Sequence, residues 1–380
     1  MEDPLTPQRT LEIHRRILDL VRSGRASTRN DLVELLPASP STVSLRTREL
    51  IDSGELVDSG AAPSTGGRPS HVLRPATAET LILGADLGTQ HARIGIAKGD
   101  GTVLAVRQIV IDATQSPQDV LDLVFSAFDS LLKAQGGACS PAAICIGLPA
   151  PIDHAHGWVD TGSRLRGWHH FPVADEVRRR YGSRVAIEND ADLMAIGEHR
   201  AHPGIAHSIT VKAGTSIGVG VIIDSRVHRG ATGAAGDISH VRMPAFGNLT
   251  CACGKTGCLD TVVSGHALAN QWQAIAGESR TFADLLAAAA NGDARAIELL
   301  RTAGSRLGEA LSAIAGLLNP DAIFIGGLLS TSEDFLAAIR AALYASCHPL
   351  ITRRLLIEAT STGHDAGLRG ALAVAKSLLD

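Results

Sequence analysis

Three of the six cysteines in this 380-residue chain fall in the stretch CACGKTGC, at Cys251, Cys253 and Cys258. The backbone there must make tight Cys-x-Cys and CGKTGC turns. Three chemistries are open to it: a disulfide knot, a reactive thiol site or a metal site. MEDPLTPQRT shows no basic region followed by an apolar one, so no signal peptide is visible. A cytoplasmic setting with reduced thiols is therefore expected. Cys251 and Cys253 are also too close to pair comfortably with each other.

The length suggests two or three domains of roughly 100–200 residues each. At 45% hydrophobic and 19% charged, the chain can bury a sizeable core. With only 3% aromatics, that core must be built from Ala, Leu, Ile and Val. A formal net charge of -4 excludes a polyanion-binding polymer. Apolar runs such as TLILGADLG fall short of the ~18 residues a membrane span needs. Lysines are scarce, five in all, with Lys212 among them.

Residues 1 to about 75 have their own character. Leu11, Ile13, Ile17, Leu18 and Val21 have helical spacing, and Gly24 stops that helix. TRNDLVELL reads as a second helix with Thr28 as N-cap. STVSLRTRELIDSGEL reads as a third, with Val43, Leu45, Leu50 and Ile51 facing inward. Leu56–Val57 and Val72–Leu73 follow as strands around a Gly/Pro/Ser tip. This is a winged helix-turn-helix. The third helix would enter the major groove through Ser41, Thr42, Ser44, Arg46 and Arg48. Arg68, held extended by Pro69 in GGRP, would reach a minor groove. A protein-interaction module is the rival reading. Ten Arg against ten acidic residues leave the segment without net basic charge, so placement must matter more than the sum.

From Leu81 the pattern becomes α/β. Apolar runs broken by glycine turns, with KGDG as a hairpin, read as three strands, and SPQDVLDLVFSAFDSLLKAQG follows as a helix capped by Ser116. A weaker version of the block recurs from about His207 to Val227. A duplicated hairpin lobe around a cleft is the actin-like, ribonuclease-H-like sugar-kinase architecture. The expected division is 1–76 for the winged helix and 77–380 for the rest. The second part splits into lobes at about 80–190 and 191–380, with the closing helix returning to lobe one.

GATGAAGDISH with CACGKTGCLD, IENDADLMAIGE and NPDAIFIGG carry a resemblance. From about residue 8 to the end the chain resembles the ROK family (repressors, open reading frames and sugar kinases), in particular its winged-helix repressor branch. The resemblance implies that Asp190 occupies the general-base position of the kinases and that Asn189 meets sugar hydroxyls. A general base needs only a carboxylate within reach of the hydroxyl proton. An Asn-Asp helix cap is the plainer reading of the same two residues. The resemblance further implies sugar contacts at Asp237, His240 and Asp260. Both acids are one methylene shorter than the family's glutamates. Arg164 stands where sugar binders carry Asn, and there it would favour an anionic ligand or simply face solvent.

The resemblance places nucleotide contacts at Asp86, Gly88, Gly214, Thr215, Gly326 and Gly327. The first loop departs from the family pattern, with Thr89, Gln90 and His91 intruding where small residues cradle phosphate best. The resemblance implies ATP and Mg2+ for the kinases of the family, and these three side chains depart from what that use requires. His240, Cys251, Cys253 and Cys258 complete a tetrahedral zinc set with no open position, which reads as structural zinc. If His240 ligates through one nitrogen, the other is free for a ligand. Cys139, Cys145 and Cys347 are expected to pack within the fold.

The expected function is a transcriptional repressor that binds operator DNA as a homodimer or tetramer and answers to a sugar or sugar derivative. The alternative is an ATP-dependent carbohydrate kinase with Asp190 as base.

Overall fold

The computed structural model describes residues 7–61, 71–76, 80–112, 114–136, 140–160, 167–243, 246–277 and 281–379. Arg68, Arg164 and Cys139 lie outside them. By contact the chain divides into two compact units. One runs to Ile82 and takes in Ala97–Leu104, and the other holds nearly all the rest.

The first unit begins with three helices, α1 (Pro7–Arg22), α2 (Arg29–Leu35) and α3 (Pro40–Asp52), followed by β1 (Leu56–Ala61) and β2 (His71–Pro75) as an antiparallel wing. Local sequence explains the breaks. Thr28 and Asp31 form a reciprocal capping box at α2. Ser39 caps α3, with Pro40 at its first position. Gly24 has φ 71 and Gly54 has φ 74, left-handed turns that suit glycine. Ile17, Leu32, Val43, Leu50, Leu56 and Leu73 form the core.

One side chain of α3 turns opposite to expectation. Leu45 is 49% exposed, while Thr47 is fully buried. The inward stripe of α3 is Val43, Thr47, Leu50, which follows the i, i+4, i+7 spacing of one helix face, and Leu45 falls on the far side. Leu11 likewise faces outward.

The second unit holds nearly all of two five-stranded sheets of the same design. The first comprises β3 (Leu81–Leu87), β4 (His91–Lys98), β5 (Val103–Val110), β6 (Ala143–Leu148) and, later in the chain, β9 (Arg184–Asn189), in the order β5-β4-β3-β6-β9. Between these come α4 (Pro117–Ala134), the small hairpin β7 (Ile152–Asp153) and β8 (Trp158–Val159), and α5 (Val173–Tyr181). After β9 follow α6 (Asp190–Ala201), β10 (Ser208–Ala213), β11 (Ile217–Ile223) and β12 (Arg226–Val227). Helices α7 (Asp260–Val263), α8 (Gly265–Ala276), α9 (Phe282–Ala290) and α10 (Ala294–Leu318) precede β13 (Ala322–Gly326). Then come α11 (Glu333–Ser346), α12 (Pro349–Thr352), β14 (Leu356–Ala359) and α13 (Ala366–Ser377).

The second sheet runs β12-β11-β10-β13-β14, so hairpin, central strand and two parallel strands recur in the same spatial order. This is the two-lobed actin-like, sugar-kinase-like α/β fold. Helix α6 packs on β10 and β11 and on α13, which in turn packs on β6 and β9. The two helices cross with backbones nearly touching. A Cβ on Gly197 would overlap the Ala366 carbonyl, and one on Gly370 would overlap that of Leu193. Side-chain-free residues are what this crossing requires.

Candidate functional site

The cleft residues come from the C-terminal ends of the strands, where ligands gather in α/β folds. Strand β9 ends at Asn189, whose side chain caps α6. Its Oδ1 accepts from the Ala191 and Asp192 amides at 2.9 and 3.2 Å. Its Nδ2 donates to the Ala150 carbonyl at 3.0 Å. One Nδ2 hydrogen remains for a ligand.

Asp190 opens α6 and is almost wholly buried. Its Oδ2 accepts from Lys212 Nζ at 2.5 Å, across the cleft from β10. Asp86, near the end of β3, is close enough to interact with both. Burial raises the Asp86 carboxyl above its ordinary range, Lys212 opposes the rise and Asp190 adds to it. Asp86 Oδ1 is buried without a hydrogen-bond partner.

The glycine loops are built for packing. A Cβ on Gly327 would overlap the Ala213 carbonyl, and one on Gly326 would lie 2.8 Å from Met194 Sδ. Gly214 and Thr215 turn their carbonyls toward the start of α8, accepting from Gly265 N at 2.8 Å and His266 N at 3.2 Å. Gly88 donates its amide to the His91 carbonyl at 2.8 Å.

The metal-type cluster lies in the second lobe. One ligand atom from each of His240, Cys251, Cys253 and Cys258 falls within 4.8 Å of the others. His240 Nδ1 is 3.5 Å from Cys251 Sγ, so Nδ1 faces the sulfurs and Nε2 faces away. The loop is set by backbone bonds from Cys251 N to Lys255 O and from Gly254 N to Cys251 O, at 2.7 and 2.9 Å. Gly257, with φ 73, presses against the Gly247 carbonyl. The backbone amide of Lys255 is the main influence lowering Cys253, while burial pushes Cys258 up to about 12. Three thiolates so close together call for a divalent cation to compensate their charge. The donor set, three sulfurs and an imidazole, suits zinc.

The remaining candidate ligand residues surround this loop. Asp237 is exposed, and its Oδ1 accepts from Ser239 Oγ at 2.7 Å. Asp260 is buried, and its Oδ1 accepts from the Ile217 amide at 3.3 Å, tying α7 to β11. Asp260 therefore works within the fold as well as standing at the predicted position.

One network was not visible in the sequence. Glu188 on β9 receives Arg229, with Nε at 3.0 Å, and has His154 Nε2 at 3.3 Å. Beside it, burial pushes Asp192 up to about 8, with Glu188 adding and Arg229 opposing. Asp192 Oδ1 has no hydrogen-bond partner. These residues are far apart in the chain, and their only local signal was the acidic run ENDAD.

On α3, Ser41, Leu45 and Arg48 are exposed, and Thr42 and Ser44 are half-buried. Arg46 is only 16% exposed and pairs with Glu49 at 2.7 Å, and Glu49 also meets His14 at 2.8 Å.

A winged helix-turn-helix joined to a two-lobed, sugar-kinase-like domain with a Cys3His loop defines a class in which one cleft architecture serves regulators and kinases. The chain belongs to the ROK family, whose sequence pattern matches residues 82–378. It is 26% identical to a putative xylose repressor of Caldicellulosiruptor sp. (strain Rt8B.4), over 94% of each chain. It is 27% identical to the glucokinase of Thermotoga maritima, over 78% of this chain and 97% of that one. A crystal structure of a ROK family transcriptional regulator, homologous to the E. coli MLC protein, superposes with a TM-score of 0.79 at 25% identity, covering 97% of this chain and 96% of the other. The similarity to the repressor and the regulator extends along the chain, whereas the glucokinase matches a smaller part.

Proposed function

We propose that this protein is a DNA-binding transcriptional repressor whose operator affinity is set by a sugar or sugar derivative in the kinase-like cleft. The observation that carries this reading is the likeness to a repressor and a regulator over 94% and 97% of the chain, winged helix included. In it, a homodimer or tetramer presents α3 to successive major grooves, with Ser41, Thr42, Ser44, Leu45 and Arg48 facing the bases. Arg46 braces the helix through Glu49, and Arg68 enters the minor groove. Leu45 adds an apolar contact of the kind that reads a thymine methyl.

In the cleft, Asn189, Asp190, Asp237 and His240 Nε2 meet ligand hydroxyls, and Asp260 holds the hairpin behind them; Arg164, where sugar binders carry Asn in sequence, would favour an anionic ligand. Zinc held by His240, Cys251, Cys253 and Cys258 fixes the orientation of His240 and takes no part in chemistry. A ligand that prefers one lobe arrangement shifts the population of DNA-competent molecules. Operator titrations with and without sugars and sugar acids test this. An operator affinity that no member of the panel changes would remove the effector role.

The kinase reading, with Asp190 as base, has the likeness to glucokinases in its favour. ADP release across a hexose and pentose panel decides it. Turnover on the order of 1 s⁻¹ would establish an enzyme.

A further inference from the structure

We propose that the Lys212 ammonium is the resident cation of this cleft, standing with the Asp86 and Asp190 carboxylates where phosphoryl transfer from a nucleotide would need a divalent metal ion. The domain then binds its ligand without nucleotide and without the divalent cation that nucleotide chemistry needs, zinc remaining in its own loop. The inference deepens the repressor reading and rests on it.

The geometry makes room for this cation. Lys212 lies near the C-terminal end of β10, paired with Gly218 on β11 and with Gly326 on β13. Neither neighbour has a side chain to compete for the space above the strand. Nζ crosses to Asp190 at the head of α6, with the lysine side chain 23% exposed and the aspartate 10%. Burial pulls the Lys212 amine down, but Asp190 and then Asp86 outweigh it, and it ends above its ordinary value. The lysine is therefore charged.

Nucleotide-dependent phosphoryl transfer asks two things of such a pair of carboxylates. A divalent cation must bridge the phosphate oxygens, and a base carboxylate must be open to the hydroxyl proton. A fixed ammonium interferes with both. It repels a second cation at short range in a poorly hydrated site. It also occupies Asp190 Oδ2, one of the two oxygens that could receive the hydroxyl proton. One amide of the glycine loop is also already committed, because Gly214 N donates to the Ser216 carbonyl at 3.2 Å.

The test is Mn2+ titrated by calorimetry into zinc-loaded full-length protein. The wild type should show no saturable Mn2+ heat. Lys212→Met should gain a site at least about tenfold tighter than any in the wild type. Lys212→Gln should gain it too, and adding Asp190→Asn to either should abolish it. Saturable Mn2+ binding to the wild type that Asp190→Asn removes would overturn the proposal, as would no gain in either variant. If the Met variant fails to fold, the Gln variant and the wild-type titration still decide. Operator binding, read by gel shift on the same wild-type preparation, tests the repressor reading separately. Loss of that reading leaves the Mn2+ result standing, and the reverse also holds.

Discussion

Lys212 Nζ lies 2.5 Å from Asp190 Oδ2, an ion pair between the central strand of the second lobe and the helix that leaves the first lobe's edge strand and packs on it. Removing Lys212 leaves Asp190 and Asp86 without their counter-charge, and removing Asp190 leaves Lys212 with Asp86 but without its hydrogen-bonded partner. Asp190→Asn and Lys212→Met should each cost about 3–5 kcal/mol. The double variant should be more stable than the sum of the two predicts. Urea unfolding of the four proteins checks this, and strict additivity would show that the two groups do not interact.

Asp192 predicts a pH dependence. Its carboxyl is pushed up to about 8 by burial from an ordinary 3.8. The folded chain therefore holds a proton there that the unfolded chain has released between about pH 4 and 8. This group's contribution to stability falls as pH rises through that window, and the penalty is complete above about 8. Asp192→Asn should stabilise the protein at pH 8 more than at pH 5. Melting temperatures at the two pH values measure the difference, and an equal shift at both would contradict the assignment.

Removing one thiolate should empty the metal loop. Cys251→Ser should lose bound zinc and lower the melting temperature. The strands behind the loop should retain their structure, because Phe246, Leu259 and Val263 bury their side chains in the lobe's own core. Elemental analysis showing unchanged zinc would defeat the ligand set.

Groove contacts divide by exposure. Arg48→Ala and Leu45→Ala should weaken operator binding by roughly 1–3 kcal/mol if their side chains reach base edges. Neither should lower the melting temperature, since both side chains are solvent-exposed. Arg46→Ala should also destabilise the fold, because it breaks the Arg46–Glu49–His14 network. Arg68→Ala should weaken binding chiefly at sites with a narrow minor groove. Anisotropy titrations paired with thermal melts separate these cases.

What was legible in the sequence was local. Thr28 and Ser116 announced their helices because a cap is made within four residues. The Cys loop announced itself because three of its four donors are nearly adjacent. The two lobes showed through the repeated hairpin pattern. What escaped depended on helical phase or on distant approach. Leu45 was placed inside because apolar character outweighed its angular position, while Thr47 took the inward site. Lys212 stood in view beside the glycines of VKAGTSIG, but its partner heads the preceding helix, 22 residues earlier. The Glu188–Arg229–His154 group could not be assembled before the fold brought β9, β12 and the β7–β8 turn together.

The central claim is that a ligand in the cleft controls DNA binding by the winged helix. A gel-shift titration of the full-length, zinc-loaded protein on its own upstream DNA, with and without a panel of sugars and sugar acids, tests it most directly. Specific binding without ligand and at least about a fivefold change in affinity with one panel member is the expected result. No specific shift, together with ADP release from ATP and a sugar, would contradict it.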